Sequence, residues 1–336
     1  MKKHILFVVL VTIILLNLGC KKTLTGPEQD IPGRRDYVWT VDTLKANPGD
    51  LFYMFSLWGS SPTDIWAVGS ADASDLSMWH YDGVSWTRNI TRLSSSLMSV
   101  HGFAKNDVWA SSSPGGIYHF DGQQWSLSYA NNIPGTHPGL DNIWGDSQSN
   151  IYAVGSIDTV GGGYSGEIVH FDGSAWDIVL ILKLRVSFNW IKRGIKESSK
   201  YYLTATRFES VGDTNKIYEL DGTNLKEIYS GQEIATVNEM AGRIYLCIGK
   251  NIYKYLNNQL TIWKDFSGTT HVGRIWGRSE KDFFTVGGDG LTHYNGTDLI
   301  TIYSTSMFIN DAFIFEKDIF ILCNNRIIIH GKLSQP

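Results

Sequence analysis

Residues 56–70 read SLWGSSPTDIWAVGS, and the phrase returns as SVHGFAKNDVWASSS at 99–113, NIWGDSQSNIYAVGS at 142–156 and RIWGRSEKDFFTVGG at 274–288. Gly59, Gly102 and Gly145 are spaced by 43 residues each time. A second phrase follows each copy: WHYDGVSW, YHFDGQQW, VHFDGSAW and THYNGTDL. Self-similarity with a period of about 40–50 residues marks a propeller, in which each unit is one small sheet that buries its faces only against its neighbours.

The period holds four strands. Strand A runs into Trp58, Val100 or Trp144, and a tight turn then ends at Asp64, Asp107, Asn150 or Asp282. Strand B is IWAVG, VWAS, IYAVG or FFTVG, and strand C carries MWHYD, IYHFD, IVHFD or LTHYN. Asp-Gly or Asn-Gly at 82–83, 121–122, 172–173 and 295–296 turns the chain into strand D, which opens near Trp86, Trp125 or Trp176. β-branched and aromatic residues fill the intervals, as strands require.

Weaker copies lie at 188–206 with 217–225, at 236–249 with 252–263, and at 310–323 with 326–331. Strands A then fall near residues 57, 100, 143, 190, 237, 275 and 312, which makes seven units. The seventh lacks a strand D, and Tyr37-Val38-Trp39-Thr40-Val41 resembles one. Pairing 37–44 outside the strand at 327–330 would complete it. The expected fold is therefore all-β: a seven-bladed β-propeller of four-stranded antiparallel blades, its last blade closed by the N-terminal strand. A single domain over 37–333 is expected, with Trp66, Val68, Trp109, Tyr152, Val154, Tyr245, Phe283 and Phe320 between the blades.

Ahead of the repeats, Lys2 and Lys3 precede an apolar run from Ile5 to Leu18, too short to span a bilayer as a helix. Leu16-Asn17-Leu18-Gly19-Cys20 resembles the lipobox of bacterial lipoproteins. That resemblance implies a signal peptide over 1–19, lipidation of Cys20 and a membrane anchor of several acyl chains. Residues 20–36 read as a flexible tether. Lys21 and Lys22 stand where an aspartate is associated with inner-membrane retention, which favours the outer membrane, periplasmic or surface-facing. The repeat phrases resemble those of bacterial lipoproteins with a repeat-built propeller, WD40- and kelch-like in architecture only. This resemblance covers nearly the whole mature chain and implies envelope placement without any chemistry.

The 336-residue chain has a formal net charge of −4, and −6 once Lys2 and Lys3 leave with the leader. With no basic stripe bearing interleaved aromatics, nucleic acid is not an expected partner. Cys247 and Cys323 sit in apolar runs and read as buried thiols rather than a disulfide framework.

The most conspicuous residues read as structural. His80, His119, His170, His293 and His330 share one strand C position, so a ring spreads them apart rather than gathering them on a metal. Imidazoles bonded to neighbouring backbone are expected. Asp64, Asp107 and Asp282 recur once per unit as caps of the A–B turn, and Asp82, Asp121, Asp172 and Asp221 as caps of the C–D turn. Trp58, Trp144 and Trp276 share one position and Trp66 and Trp109 another, as wedges between blades; Trp79 breaks that pattern. No metal motif, cofactor motif or catalytic set appears.

Function in a propeller sits on loops that vary while the blades repeat. The variable segments on the face bearing the D–A and B–C connections are 70–77, 131–141, 156–166, 207–215 and 265–272. From these and the adjoining hairpin come the ligand-binding candidates His137, Asp141, Asp158, Tyr164, Arg207, Asp213, His271 and Asp289. The expected function is a non-catalytic binding or scaffold lipoprotein, monomeric, with a peptide, protein or glycan ligand. A polysaccharide hydrolase or lyase would instead need clustered carboxylates with a displaced pKa. An envelope-assembly lipoprotein would need an exposed apolar patch on one face.

Overall fold

The structure, a computed structural model, describes residues 32–334 apart from 91–92, 95, 160–162, 195–198 and 211. The leader, Cys20, most of the tether and the middle of the glycine-rich insertion lie outside the described residues. Seven four-stranded antiparallel sheets form, each with its strands in chain order except the last. Only a single 3-10 turn, Ser74–Leu76, is helical among the described residues. Strand A of the seven blades is Phe52–Ser61, Leu97–Ala104, Thr136–Ser147, Val186–Arg193, Ala235–Met240, Val272–Ser279 and Ile309–Ile314. The seven expected centres all fall inside these spans.

Blade 7 closes as the sequence predicts. Its strands are Ile309–Ile314, Asp318–Cys323, Ile327–Leu333 and, outermost, Tyr37–Thr43. Thr40 lies opposite His330 and Thr43 opposite Ile327. The join extends past the ladder, because Ser334 N donates to Asp36 O (2.9 Å) and Arg34 Nη2 donates to Ser334 O (2.7 Å). Trp39 lies flat on Gly331, where an added Cβ would come within 2.3 Å of its ring, and meets Tyr303 with centroids 4.9 Å apart.

The core consists of separate clusters rather than one centre. One joins blades 1 and 2 through Trp58, Trp66, Val68, Val100, Val108 and Trp125. Another joins blades 2 and 3 through Trp109, Ile117, Leu140 and Ile151. Of the expected core set only Tyr152 is half-buried; the others are buried. Cys247 and Cys323 are buried free thiols. Trp79 is also core, 2% exposed, with Nε1 donating to Leu76 O.

The strand C histidines carry a correction. Their partners are side chains, not backbone: His80 Nε2 bonds Asp64 (2.6 Å), and His119 and His293 bond Asp107 and Asp282 (2.8 Å each), the acids read as A–B turn caps, while His330 bonds Asp318 (2.8 Å), the equivalent acid of blade 7. His170 bonds Asn150 (2.8 Å). Each histidine lies directly opposite the strand B aromatic, and the acid two residues earlier on strand B reaches it diagonally. The strand B aromatic stacks on the same imidazole, as Trp66 does on His80 (4.2 Å), Trp109 on His119 (3.9 Å) and Phe320 on His330 (4.0 Å). Trp66 in turn meets Trp125 of the next blade edge-on at 5.3 Å. Each pin thus orients a ring that wedges two blades apart. Asp82, Asp121 and Asp172 do cap their C–D turns, as Asp82 does for the N–H groups of Val84 and Ser85, whereas Asp221 pairs with Asn224 at the end of its ladder.

Removing residues 37–43 should open the ring and expose the outer edge of Ile327–Leu333, so cooperative thermal unfolding should be lost. Trp39→Ala, which keeps the ladder, should destabilise by about 2 kcal/mol, below the full cost of a buried Trp because this ring is half-buried. Calorimetry distinguishes the two: a deletion variant that still melts in one sharp transition near the parent temperature would contradict this closure.

Candidate functional site

Strand A lines a central channel of about 580 Å³, and six of its seven copies contain a bulge. Phe55, Met98, Asp141, Asn189 and Asn310 each stand unpaired between consecutive ladder pairs, as do Gly273 and Arg274 in blade 6. An extra residue breaks the ladder and re-aims its side chain. Phe55, Met98, Asp141, Asn189 and Arg274 accordingly reach the channel. The bulges also explain a glycine of the repeated phrase: a Cβ on Gly69 or Gly155 would lie 1.9 Å from the carbonyl oxygen of Tyr53 or Gly139, pushed inward at the bulge.

Just below the bulges, side chains bridge adjoining blades. Val100 N donates to Ser56 Oγ (3.4 Å), Ile191 N to Asn142 Oδ1 (3.2 Å), Ile275 N to Asn238 Oδ1 (3.2 Å) and Leu57 N to Asp311 Oδ2 (2.9 Å). Asn142 Nδ2 donates to Ser99 Oγ (3.0 Å). Arg274 is held on every side, bonded to Asn310 O (2.8 Å) and Asp311 (2.9 Å), with its guanidinium 4.2 Å from the Trp190 ring and 4.9 Å from that of Trp276.

Two charged groups in the channel lack such neutralisation. Among the described residues Asp141 accepts only from Ser187 Oγ (3.1 Å), and burial raises its carboxyl to about 6. Lys192, five residues beyond Ser187 on the same strand, lines the channel with no hydrogen bond to its amine among the described residues. Burial lowers it to about 8, against the pull of Glu239 and Asp311. Across the wall, His101 Nε2 donates to Gly145 O (2.9 Å), and burial followed by the Lys192 charge keeps the ring neutral, near 3.

The structure brings some of the candidates together. His137, Asp158 and Tyr164 form one cross-strand row at the rim of blade 3, His137 opposite Asp158 and Asp158 opposite Tyr164. Tyr164 packs on Phe208 with centroids 5.1 Å apart. Arg207 pairs with Glu209 at 3.1 Å. Asp213 and Asp289 are exposed in the B–C connections of blades 4 and 6, apart from that row in the chain's circuit. His271 is fully buried. Thr285 donates its hydroxyl to Arg274 O and so accepts from His271 Nδ1, while burial lowers this imidazole to about 4.

Phe55, Met98, Trp190, Lys192 and Arg274 escaped the sequence reading, which looked for variation in loops. Their signal was present in the repeated phrase itself. Where three copies carry a Trp-Gly pair, the fourth unit has Lys192-Arg193, and where other copies carry Ser or Asn before the apolar residue, unit four has Trp190 and unit six Arg274.

No protein-family profile and no curated protein matches the chain. Solved structures do match in fold. YCF48 bound to D1 peptide superposes with a TM-score of 0.62 at 16% identity, covering 91% of this chain and all of that one. Virginiamycin B lyase from Staphylococcus aureus, in a catalytically inactive form with quinupristin, gives 0.62 at 11% identity over 88% of this chain and all of that one. The extracellular domain of the putative one component system BT4673 from B. thetaiotaomicron gives 0.55 at 12% identity over 92% of this chain and 42% of that one. The shared property is the propeller.

Outside the channel, the least favourable titratable group is Glu167 in strand C of blade 3, with no exposed surface. Its Oε1 accepts from Asn131 Nδ2, while Oε2 has no partner among the described residues. Burial raises its carboxyl to about 7. The folded state then holds this proton more tightly than the unfolded chain, so its contribution falls as pH rises from about 4.5 through 7. At about 1.4 kcal/mol per pH unit the effect is on the order of 3 kcal/mol. Glu167→Gln should match the parent at pH 4 and melt roughly 5 °C higher at pH 8; a melting difference independent of pH would refute the assignment.

Proposed function

We propose that the chain is an exported lipoprotein, held at the outer membrane through Cys20, whose propeller is a binding module for a peptide or protein. The observation that carries this reading is the one-sided distribution of exposed apolar side chains. Phe308, Leu51, Tyr53 and Ile90 stand over blades 7, 1 and 2, at 70%, 61%, 63% and 82% exposure. Tyr164, Leu184, Phe208 and Ile234 stand over blades 3 to 5. All eight lie on D–A or B–C connections or the strand ends beside them, so they flank one mouth of the channel in two arcs. The opposite face offers Val84 and Leu256, and the remaining seven, Val38, Val41, Leu127, Ile178, Ile181, Ile262 and Ile300, are spread around the outer strands D. Apolar groups concentrated on one face mark an interaction surface.

The same face argues for peptide or protein over glycan. Sugars stack on exposed flat rings, yet Trp58, Trp66, Trp79, Trp109, Trp125 and Trp144 are all buried. What the face exposes is a mixed apolar surface of two leucines, two isoleucines, two phenylalanines and two tyrosines, with no tryptophan among them. The matched YCF48 structure holds a peptide, which fits this reading. A hydrolase or lyase finds less support. Asp141 has the raised pKa such a site needs, but its partner is Ser187, and the other inner acids are engaged: Asp311 with Arg274, and Glu239 with Gly242 N (2.6 Å).

Cys20→Ala protein should appear in the soluble fraction, and its retention in membranes would count against the anchor. With that soluble form as bait, partner capture from envelope extracts should fall at least tenfold on adding Leu51→Lys and Phe308→Lys and persist with Val84→Lys on the opposite face. Equal capture by both variants would exclude this face as the binding surface.

A further inference from the structure

Asp141 and Lys192 face the same channel from adjoining blades, and neither meets an opposite charge in a hydrogen bond among the described residues. Every other charged group there is already held: Arg274 with Asp311, and Glu239 with a backbone amide. Both side chains are half-buried and line open channel space, and Glu239 and Asp311 draw on Lys192 without bonding it, so the pair is placed to hold a ligand bearing the complementary charges. About 580 Å³ lies within the range of small-ligand sites, about 300–1,000 Å³.

The two charges stand at different depths. Asp141 lies level with Ser187, near the mouth flanked by the apolar arcs. Lys192 is five residues farther down the same strand, which at about 3.3 Å per residue places it roughly 15 Å deeper. The same channel is lined by the rings of Trp58, Trp276 and Phe313 and by the neutral His101, while Glu239 and Asp311 draw on the ammonium and the Arg274 charge opposes them. The channel therefore presents an acceptor for a cation near its entrance and a donor for an anion inside. About 15 Å of extended chain is four or five residues.

We propose that the channel takes the carboxyl-terminal end of a peptide in extended form, its terminal carboxylate at Lys192 Nζ and a basic side chain, about four residues earlier, at Asp141. This rests on the binding reading above and specifies the ligand: a chain end rather than an internal loop, entering past the apolar arcs. Binding is non-covalent, through charge-assisted hydrogen bonds at both ends of the segment. Arg274 acts as a fixed strut between Trp190 and Asp311 rather than as a ligand contact.

Two pooled libraries of N-acetylated pentapeptides test this, each with lysine first and the remaining positions randomised, one ending in a free carboxylate and the other in an amide. Detergent-solubilised full-length protein should enrich the free-acid pool at least tenfold over the amide pool, read by mass spectrometry. Lys192→Met should abolish that preference and Lys192→Arg keep it; should the methionine variant fail to fold, Lys192→Gln makes the same comparison. Against a third, free-acid pool with norleucine first, Asp141→Asn should lose the parent's preference for lysine at that position while retaining preference for the free acid over the amide. Equal enrichment of the two pools, enrichment of neither, or a preference that survives Lys192→Met or Lys192→Gln would overturn the proposal. Loss of acid preference with partner capture intact leaves the apolar face standing, whereas intact acid preference with capture unaffected by the Leu51 and Phe308 substitutions removes the face and keeps the channel.

Discussion

Ring closure is the constraint on which everything else depends. A four-stranded blade is too thin to shield its own faces, so its stability is that of two neighbours pressed against it. Seven such sheets satisfy one another only if the last meets the first. That meeting uses chain from both ends: the ladder between Tyr37–Thr43 and Ile327–Leu333, the Ser334–Asp36 bonds and the fit of Trp39 on Gly331. Closure also brings seven copies of strand A around one axis, which creates a channel that no single blade contains.

The ring was legible because its spacing recurs, and the missing strand of unit seven pointed to its own replacement at 37–44. Units four and five read poorly, and the structure shows the physical reason. In blade 4 the positions of the Asp–His pin carry Lys200 and Glu219, bonded at 2.7 Å with the charges exchanged. In blade 5 the histidine position is Lys254, which reaches across to Glu280 of blade 6. The cross-strand or inter-blade tie persists while the letters change, so a reading by residue identity loses it. The pins were misread for a related reason: an aspartate after a turn is ordinarily a local cap, and its partner lies 11 to 16 residues onward, visible only once strands B and C are in register.

The site was less legible than the fold because a bulge leaves no sequence signature of its own. Asp141 looked like a loop residue and lies on a strand, aimed inward by the extra residue it constitutes. Lys192 and Arg274 occupy strand positions where apolar or small polar residues stand in other copies, and only departure from the repeat distinguishes them. His271, a loop histidine by spacing, is buried because Val272–Ser279 begins at once and draws it beneath the rim.

Chain direction fixes the face at which the chain enters the ring. Strand D of each blade runs from the A–B and C–D turns toward the D–A connections, so Tyr37, which begins one, enters at the face opposite the apolar arcs. The preceding residues are fastened there: Gly33 N donates to Lys281 O (2.9 Å) in an A–B turn, and Arg35 bonds His293 O (2.9 Å) and Asp298 O (2.7 Å) beside a C–D turn. Arg35 also donates to His293 Nδ1 (3.3 Å), so the tether's last residues lock onto a pin whose Nε2 already serves Asp282.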